Sequence, residues 1–218
     1  MTFEESYQKY LLLSESNGIT NNLSTNKGKY AAMFNIAQNK VIEWLIESNG
    51  ADENRYLQQI KETALLIVGT PTDRYIPYTI PADYFDFINL FVKGKESTCI
   101  LEFVTQEIKN ENASQAYNDI LTEPSFKYAE TFFTVSKDSI NLYKKGFDFD
   151  SVHLHYYKEP TQVTLIDPDD PESNFSVLDH QFDDKLINRV ILSAVSLHQL
   201  SSDDAKYQAF KQETVQKF

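Results

Sequence analysis

Apolar residues recur at helical spacing in the first third of the chain. Residues 3–14 and 30–48 each place apolar side chains three and four positions apart, which is typical of an amphipathic helix. Asp52 is a suitable N-cap for a third helix. The side chains predicted on the buried face of that helix are Leu57, Ile60, Ala64 and Leu65. Gly69 and Pro71 are expected to end it.

From about residue 71 to residue 160, apolar and polar positions alternate instead. The segments predicted to be strands are 86–93, 99–104, 131–135, 140–144 and 152–158. Short turns separate the last three, so we expect an antiparallel meander with which the two earlier strands pair. The polar segment 110–120 is expected to be a linker or a short helix.

Helical spacing returns after an acidic, proline-containing loop at 166–173. A strong apolar stripe follows Asp179, and residues 203–216 have the pattern of a last helix. The predicted fold class is therefore α+β: a helical bundle formed by the N- and C-terminal helices, with a central inserted antiparallel β-sheet.

This pattern predicts one structural unit with three parts. Residues 1–70 hold the N-terminal helices of the bundle, and residues 71–165 form the inserted sheet region. Residues 166–218 hold the acidic loop and the C-terminal helices that return to the bundle. A chain of 218 residues is long enough to bury one good-sized core.

Composition favours a globular protein with much aromatic surface to bury. Hydrophobic residues make up 41 % of the chain, with 15 Phe and 13 Tyr. We expect these rings to lie in the core or against other chains. The sequence predicts no membrane span, because it has no run of about 18 apolar residues.

Charge restricts the partners that the chain is expected to bind. With 32 acidic and 20 basic residues, the net charge is −12, which repels phosphate backbones. The densest basic pairs are Lys93/Lys95 and Lys144/Lys145, each beside a glycine. Sequence-specific binding of nucleic acid is therefore not expected, although DNA can pass such a surface without being held.

Familiar catalytic and cofactor motifs fit the sequence poorly. Gly94-Lys95 lacks the first glycine and the hydroxyl residue of a phosphate-binding loop. The carboxylates of Asp167, Asp169 and Asp170 resemble a calcium loop, but prolines interrupt the spacing. We therefore predict no catalytic site, no cofactor and no bound metal.

The single cysteine, Cys99, rules out an intrachain disulfide. It lies in an apolar, strand-like run, where a small buried cysteine is the common case. A nucleophilic role would need a basic partner such as His153 or His155 to lower the pKa of the thiol. The prediction is a buried, structural cysteine.

Two of the four histidines lie two residues apart in VHLHYYKEP (152–160). On a strand, this spacing puts His153 and His155 on one face, as two corners of a metal site would require. A third ligand is needed, and the only other histidines are His180 and His198. This alternative is a metal-dependent enzyme that uses His153 and His155.

The other interpretation of VHLHYYKEP is an ordinary half-buried strand. Val152, Leu154 and Tyr156 then form the buried face. The opposite face carries both histidines and Tyr157, and it is suited to contact another subunit. Pro160 ends the pairing.

Several segments together resemble the head-to-tail connector proteins of tailed bacteriophages. They are the run PSFKY (124–128), a hairpin ending in SINLYK, and the strand VHLHYYKEP. A helix of the type FNIAQNKVIEWLIE precedes them, and one of the type FDDKLINRVILSAVSLHQL follows. The resemblance covers roughly residues 30–200 and includes the order of the parts.

The resemblance implies a virion structural protein of the neck or tail region, made in the host cytoplasm, and not an enzyme. The chain would form a homo-oligomeric ring, commonly of about twelve copies, that docks below the portal protein. Other ring, tail or nozzle proteins would bind beneath it, and DNA would pass through the channel during ejection.

The resemblance names no catalytic residue. Segments 16–29 and 166–174, and the tail after Ser202, are the candidates for ordering on a partner. A third possibility is a cellular protein–protein adaptor of similar build.

Overall fold

The computed structural model describes residues 1–16, 26–48, 55–170 and 173–202. The predicted last helix (203–216) and most of the predicted loop 16–29 lie outside these ranges. The chain divides into two compact units, Met1–Gln59 with Pro160–Phe218, and Ile60–Glu159. Each unit is described by itself below.

Four helices and eight strands lie wholly within the described residues, and residues 55–57 are also helical. The helices are α1 (Phe3–Ser16), α2 (Lys27–Ser48), α3 (Ala113–Asn118), which follows a 3-10 turn at Asn110–Asn112, and α4 (Asp184–Ser202). The strands are β1 (Lys61–Leu65), β2 (Ile67–Val68), β3 (Tyr75–Thr79), β4 (Tyr84–Glu96), β5 (Cys99–Glu107), β6 (Glu130–Val135), β7 (Ser139–Tyr143) and β8 (Asp148–Lys158).

The first unit is built from α1, α2 and α4, which confirm three of the predicted helices. The N-cap of α4 is Asp183, whose Oδ1 accepts a hydrogen bond from the Leu186 N–H at 2.9 Å. Aromatic rings fill the space between the helices, and Tyr10 and Tyr30 are fully buried. The Tyr10 hydroxyl lies 2.6 Å from Nδ1 of His198, so this core contains a polar pair as well.

The second unit is an eight-stranded sheet in the order β1-β8-β4-β5-β6-β7-β3-β2. The β5–β6 pair is parallel, and every other pairing between its strands is antiparallel. A parallel pair needs a crossover connection, which here contains the 3-10 turn and α3.

Leu66 joins the two edges of this sheet. Strand β1 ends at Leu65 on one edge, and β2 begins at Ile67 on the other edge. Since a single residue connects opposite edges, the sheet must curl nearly into a barrel. The Leu66 N–H donates to the Val152 carbonyl at 2.9 Å, and its side chain is buried.

The inner face of the curled sheet holds the core of this unit. Its buried side chains are Leu66, Ile76, Tyr78, Leu90, Val92, Phe103, Phe133, Ile140, Leu142, Phe147, Val152, Leu154 and Tyr156. On the outer face, α3 packs Ala113 and Ala116 against Phe132 of β6. A strand that is covered on both faces has a continuous apolar sequence, as TFFTV (131–135) of β6 does.

The predicted fold class is wrong. The protein is not a helical bundle that carries a small antiparallel insertion. It is an α+β protein whose largest element is a mixed sheet curled nearly into a barrel. The parallel β5–β6 pair and the closure at Leu66 depend on long-range pairing, which short-range spacing does not encode.

The third predicted helix is also wrong in its second half. Lys61–Leu65 form β1, and Leu65 is 63 % exposed rather than buried. Pairing with β8 along all five residues outweighs the helical spacing of a short segment.

The predicted three-stranded meander is correct only for β6 and β7. Strand β8 lies between β1 and β4 instead of beside β7. The connection after β7 buries Phe147 in the core of the curled sheet. The connection between β7 and β8 therefore crosses from one side of the sheet to the other. The short turns predicted from the sequence give no sign of this crossing.

Candidate interaction surface

The alternation predicted for β8 is confirmed. Val152, Leu154 and Tyr156 are at most 3 % exposed, whereas the two histidines on the same strand are half-buried on the outer face. The Tyr156 hydroxyl also donates to Asp83 Oδ1 at 2.9 Å. The inward side chains therefore anchor β8 in the core, and the outward side chains are available to contact another molecule.

The outward histidines lie between side chains of β1 and β4. His153 is opposite Leu65 on one side and Phe91 on the other. The Phe91 ring also lies diagonally against His155, with ring centroids 4.6 Å apart. Such cross-strand and diagonal pairs are the normal contacts of a sheet face.

Four large apolar side chains lie exposed on this outer face. They are Leu65 (63 % exposed), Ile67 (75 %), Phe91 (50 %) and Val104 (70 %). We call these four residues the outer apolar patch. Folded monomers seldom leave an extended apolar area in water, so the patch is a candidate interaction surface.

Sheet register shows that the patch is continuous. Leu65 and Phe91 flank His153 on the two neighbouring strands. Val92 is paired with Phe103, so the next pair outward in this antiparallel ladder is Phe91 with Val104. Leu65, Phe91 and Val104 thus span β1, β4 and β5, with β8 between β1 and β4, and Ile67 follows Leu65 two residues later on β2.

The borders of the patch carry charge. Burial lowers the pKa of His155 below its ordinary value, and the nearby charges of Lys61 and His153 lower it further. On β4, Lys93 follows the patch and is opposite Glu102 of β5. The result is an apolar surface with a mixed polar rim, as is typical of protein interfaces.

The sequence prediction found the histidines but missed the patch. The spacing predicts that Leu65 lies on the buried side of a helix, and it predicts a strand over 86–93 without separating Phe91 from its apolar neighbours. The available signal was the alternation along β4, in which Leu90 and Val92 are buried and Phe91 is not. Which side of that alternation faces inward depends on the curl of the sheet.

A second apolar feature follows α3. Ile120 and Leu121 are 83 % and 84 % exposed, and we call this pair the aliphatic tip. Its backbone is ordered by Asp119, whose carbonyl accepts from the Thr122 N–H at 3.0 Å and whose Oδ1 accepts from the Leu121 N–H at 3.0 Å. The tip is therefore a fixed projection and not a loose loop.

Charged and aromatic contacts hold the base of this projection. Lys145 forms an ion pair with Glu123 and lies 5.6 Å from the centre of the Tyr117 ring. The guanidinium of Arg74 lies 5.3 Å from the same ring. These cation–π contacts attach α3 to neighbouring loops of the sheet.

No third metal ligand accompanies His153 and His155 in the part of the chain that the structure describes. Among the described residues, no group of three or more His, Cys, Asp or Glu side chains is arranged to hold a metal ion. His180 and His198 belong to the unit that contains α1, α2 and α4.

The prediction of a buried Cys99 is wrong, because the thiol is exposed. Cys99 is the first residue of β5 and pairs with Glu96 across a two-residue turn. Ser97 in that turn has a φ of 55°, a conformation suited to tight hairpins. The end of a hairpin projects from the sheet, so an apolar neighbourhood in sequence does not bury this residue.

The acidic loop is a hydrogen-bonded turn in the part that is described. Asp167 Oδ1 accepts from the Asp169 N–H at 3.1 Å, and the Asp167 N–H donates to Ser173 Oγ at 2.9 Å. This carboxylate therefore caps its own turn. Residues 171 and 172 lie outside the described ranges.

His180 lies in an aromatic pocket of the first unit. Its ring centroid is 3.6 Å from that of Phe3 and 5.1 Å from that of Phe34. Burial lowers the pKa of His180 to about 4, with a smaller contribution from the charged amino terminus. The imidazole is therefore neutral at pH 7, and this site is a core contact.

No helix among the described residues is long and apolar enough to cross a membrane. A comparison with models of known protein families finds no match, and a comparison with curated proteins finds no significant relative.

Proposed function

We propose that the protein is a structural subunit of a homo-oligomeric ring, and that this ring is a head-to-tail connector of a tailed bacteriophage. The ring docks below the portal protein, and further ring, tail or nozzle proteins bind beneath it. DNA leaves the capsid through its centre. The observation that carries the proposal is the outer apolar patch.

The patch has the properties of a subunit contact. Its four side chains are 50–75 % exposed, and register fixes their positions across four strands. Burying such side chains is favourable by roughly 25 cal/mol per Å² of apolar surface. Because the sheet is already ordered, little conformational entropy is lost when a partner binds.

The charge of the chain supports the DNA-channel part of the proposal. A net charge of −12 repels phosphate groups, which suits a wall along which DNA must slide. The same charge makes copies repel one another, so the patch must supply the attraction. Salt screens this repulsion within about 10 Å at 0.1 M, so assembly should strengthen as ionic strength rises.

A direct test is to purify the chain alone and with the portal protein encoded in the same genome. Native mass spectrometry and electron microscopy should show rings, either of the chain alone or bound to the portal. Phe91→Asp should weaken assembly at least about tenfold, since it places a charge inside the contact. Leu12→Asp is the matched control, because Leu12 is 67 % exposed on α1, outside the patch.

The competing functions give different results in this experiment. A persistent monomer that ignores an intact portal ring contradicts the proposal. If that monomer captures one cellular protein and Phe91→Asp abolishes the capture, the adaptor alternative is favoured. Stoichiometric zinc or iron binding that His153→Ala removes would favour the metal enzyme.

A further inference from the structure

The geometry points to the aliphatic tip of one copy docking on the outer apolar patch of the next copy around the ring. The inference rests on the proposed function and adds to it the two surfaces that meet. The occupant of the patch is thus a second copy of this chain.

The positions of the two surfaces around the sheet are those that a ring requires. Strands β1 and β2 are separated only by Leu66 and count as one strand position. The eight strands of the described sheet therefore occupy seven positions around its curl. The patch residues lie on the β1–β2 position, on β4 and on β5, with β8 between β1 and β4. The tip follows α3, which packs on Phe132 of β6, and the Phe132 ring stacks on Tyr143 of β7 at 4.4 Å.

The centres of the two surfaces are three strand positions apart in this order. In a barrel-like sheet of seven positions, that is a rotation of roughly 150°. A ring of many copies needs two different surfaces on nearly opposite sides of each subunit, whereas a two-fold dimer uses one surface twice.

The two surfaces are complementary in chemistry. The tip presents two aliphatic side chains that are more than 80 % exposed, on a turn fixed by Asp119. The patch presents a broad apolar face with an aromatic ring near its centre. An ordered projection that inserts into an ordered face resembles the anchor residues of tight interfaces.

Charge near the two surfaces is also complementary. The segment 110–123 carries Glu111, Asp119 and Glu123 and contains no lysine or arginine. Lys61 and Lys93 border the patch on β1 and β4. Glu123 is paired with Lys145, and one oxygen of Asp119 accepts from the Leu121 N–H. The other oxygen of Asp119 is the one to meet Lys61, or Lys93, which is opposite Glu102.

Directed disulfide formation tests the pairing. In a Cys99→Ser background, we would prepare chains carrying Leu121→Cys, Phe91→Cys or Leu65→Cys, and mix them in pairs under a mild copper–phenanthroline oxidant. A mixture of a Leu121→Cys chain with either patch variant should give a covalent dimer. Its yield should be at least about ten times that of any variant oxidised alone, because only the mixture brings both surfaces together.

A double variant extends the test to the ring. Leu121→Cys combined with Phe91→Cys in one chain should give a ladder of covalent oligomers on a non-reducing gel. Lys137→Cys, at an exposed turn between β6 and β7, replaces Phe91→Cys as the control and should give no ladder.

The outcomes separate this inference from the proposed function. Rings that assemble while Leu121→Cys forms no bond with either patch variant overturn the inference and leave the proposed function standing. Self-linking of Phe91→Cys chains shows a two-fold contact and also overturns the inference. A monomer that forms neither rings, nor portal complexes, nor disulfides overturns both.

Discussion

At the residue scale, the two histidines of β8 belong to the interaction surface. His153 lies between Leu65 and Phe91, and His155 touches the Phe91 ring. Their side chains are half-buried and lie on the outer face, away from the core. The core therefore does not depend on them, and replacing them tests whether this face binds a partner.

Replacing both histidines with alanine should leave the monomer fold intact and weaken assembly. We expect unfolding in urea to change by less than about 1 kcal/mol, because the side chains lie on the surface. Assembly should fall because the surface loses two side chains that lie between patch residues. Leu154→Ala is the contrasting control and should destabilise the fold by about 2–5 kcal/mol, since Leu154 is fully buried. If the double histidine variant lost as much free energy of unfolding as Leu154→Ala, the two faces of β8 would be assigned the wrong way round.

His180 makes stability depend on pH. Burial among aromatic rings lowers its folded-state pKa to about 4, below that of the unfolded chain. The unfolded state therefore binds more protons between these two values. The stabilisation is complete above about pH 6.5 and is lost as the pH falls towards 4.

The free energy of unfolding should therefore fall by on the order of 2 kcal/mol from pH 7 to pH 4 through this group, allowing for its partial exposure to solvent. His180→Phe keeps an aromatic ring against Phe3 and Phe34 and removes the titrating group. Urea denaturation at several pH values should show a shallower dependence for this variant. An unchanged slope would show that other groups set the pH dependence.

At the element scale, close packing across the β4–β5 hairpin depends on a glycine. A Cβ on Gly94 would lie 2.2 Å from an atom of the Phe103 ring. That ring is 7 % exposed and packs on Phe126, Phe147 and Phe149, so it has little room to move. The aromatic ring covers the space that a side chain at position 94 would occupy.

Gly94→Ala should therefore destabilise the protein by about 1–3 kcal/mol in urea denaturation, through overpacking. Phe103→Leu in the same chain should recover part of this loss, because it removes the clashing atoms. Lys95→Ala, at the next and outward position of β4, is the control and should change stability little. Additive effects of Gly94→Ala and Phe103→Leu would contradict the proposed contact.

Elements with strong local patterns could be predicted, and those defined by distant partners could not. The stripes of α1, α2 and α4 and the alternation of β8 are visible in the sequence, because each repeats over several turns or pairs. Strand β1 is five residues long and has helical spacing, so only its pairing with β8 identifies it. The exposure of Cys99 similarly follows from its place at the end of a hairpin.

At the scale of the whole molecule, sheet closure determines which surfaces are available. Leu66 links the two edges of the sheet, and the strand order places the patch residues on β1, β2, β4 and β5, whereas α3, which precedes the tip, packs on β6. Neither feature is visible as a surface until the strands are ordered around the curl. In the proposed ring, these two localised apolar surfaces would direct assembly, and the remaining acidic charge would repel DNA.

The sequence by itself determined the period of each long element, the two faces of β8 and the strongly acidic charge. These properties depend on neighbours a few residues apart, which the chain order specifies directly. Only the tertiary structure decided the strand order, the parallel β5–β6 pair and the edge-to-edge closure at Leu66. It also decided that Leu65, Ile67, Phe91 and Val104 form one exposed surface, because strands from distant parts of the chain lie side by side only after they pair in this order.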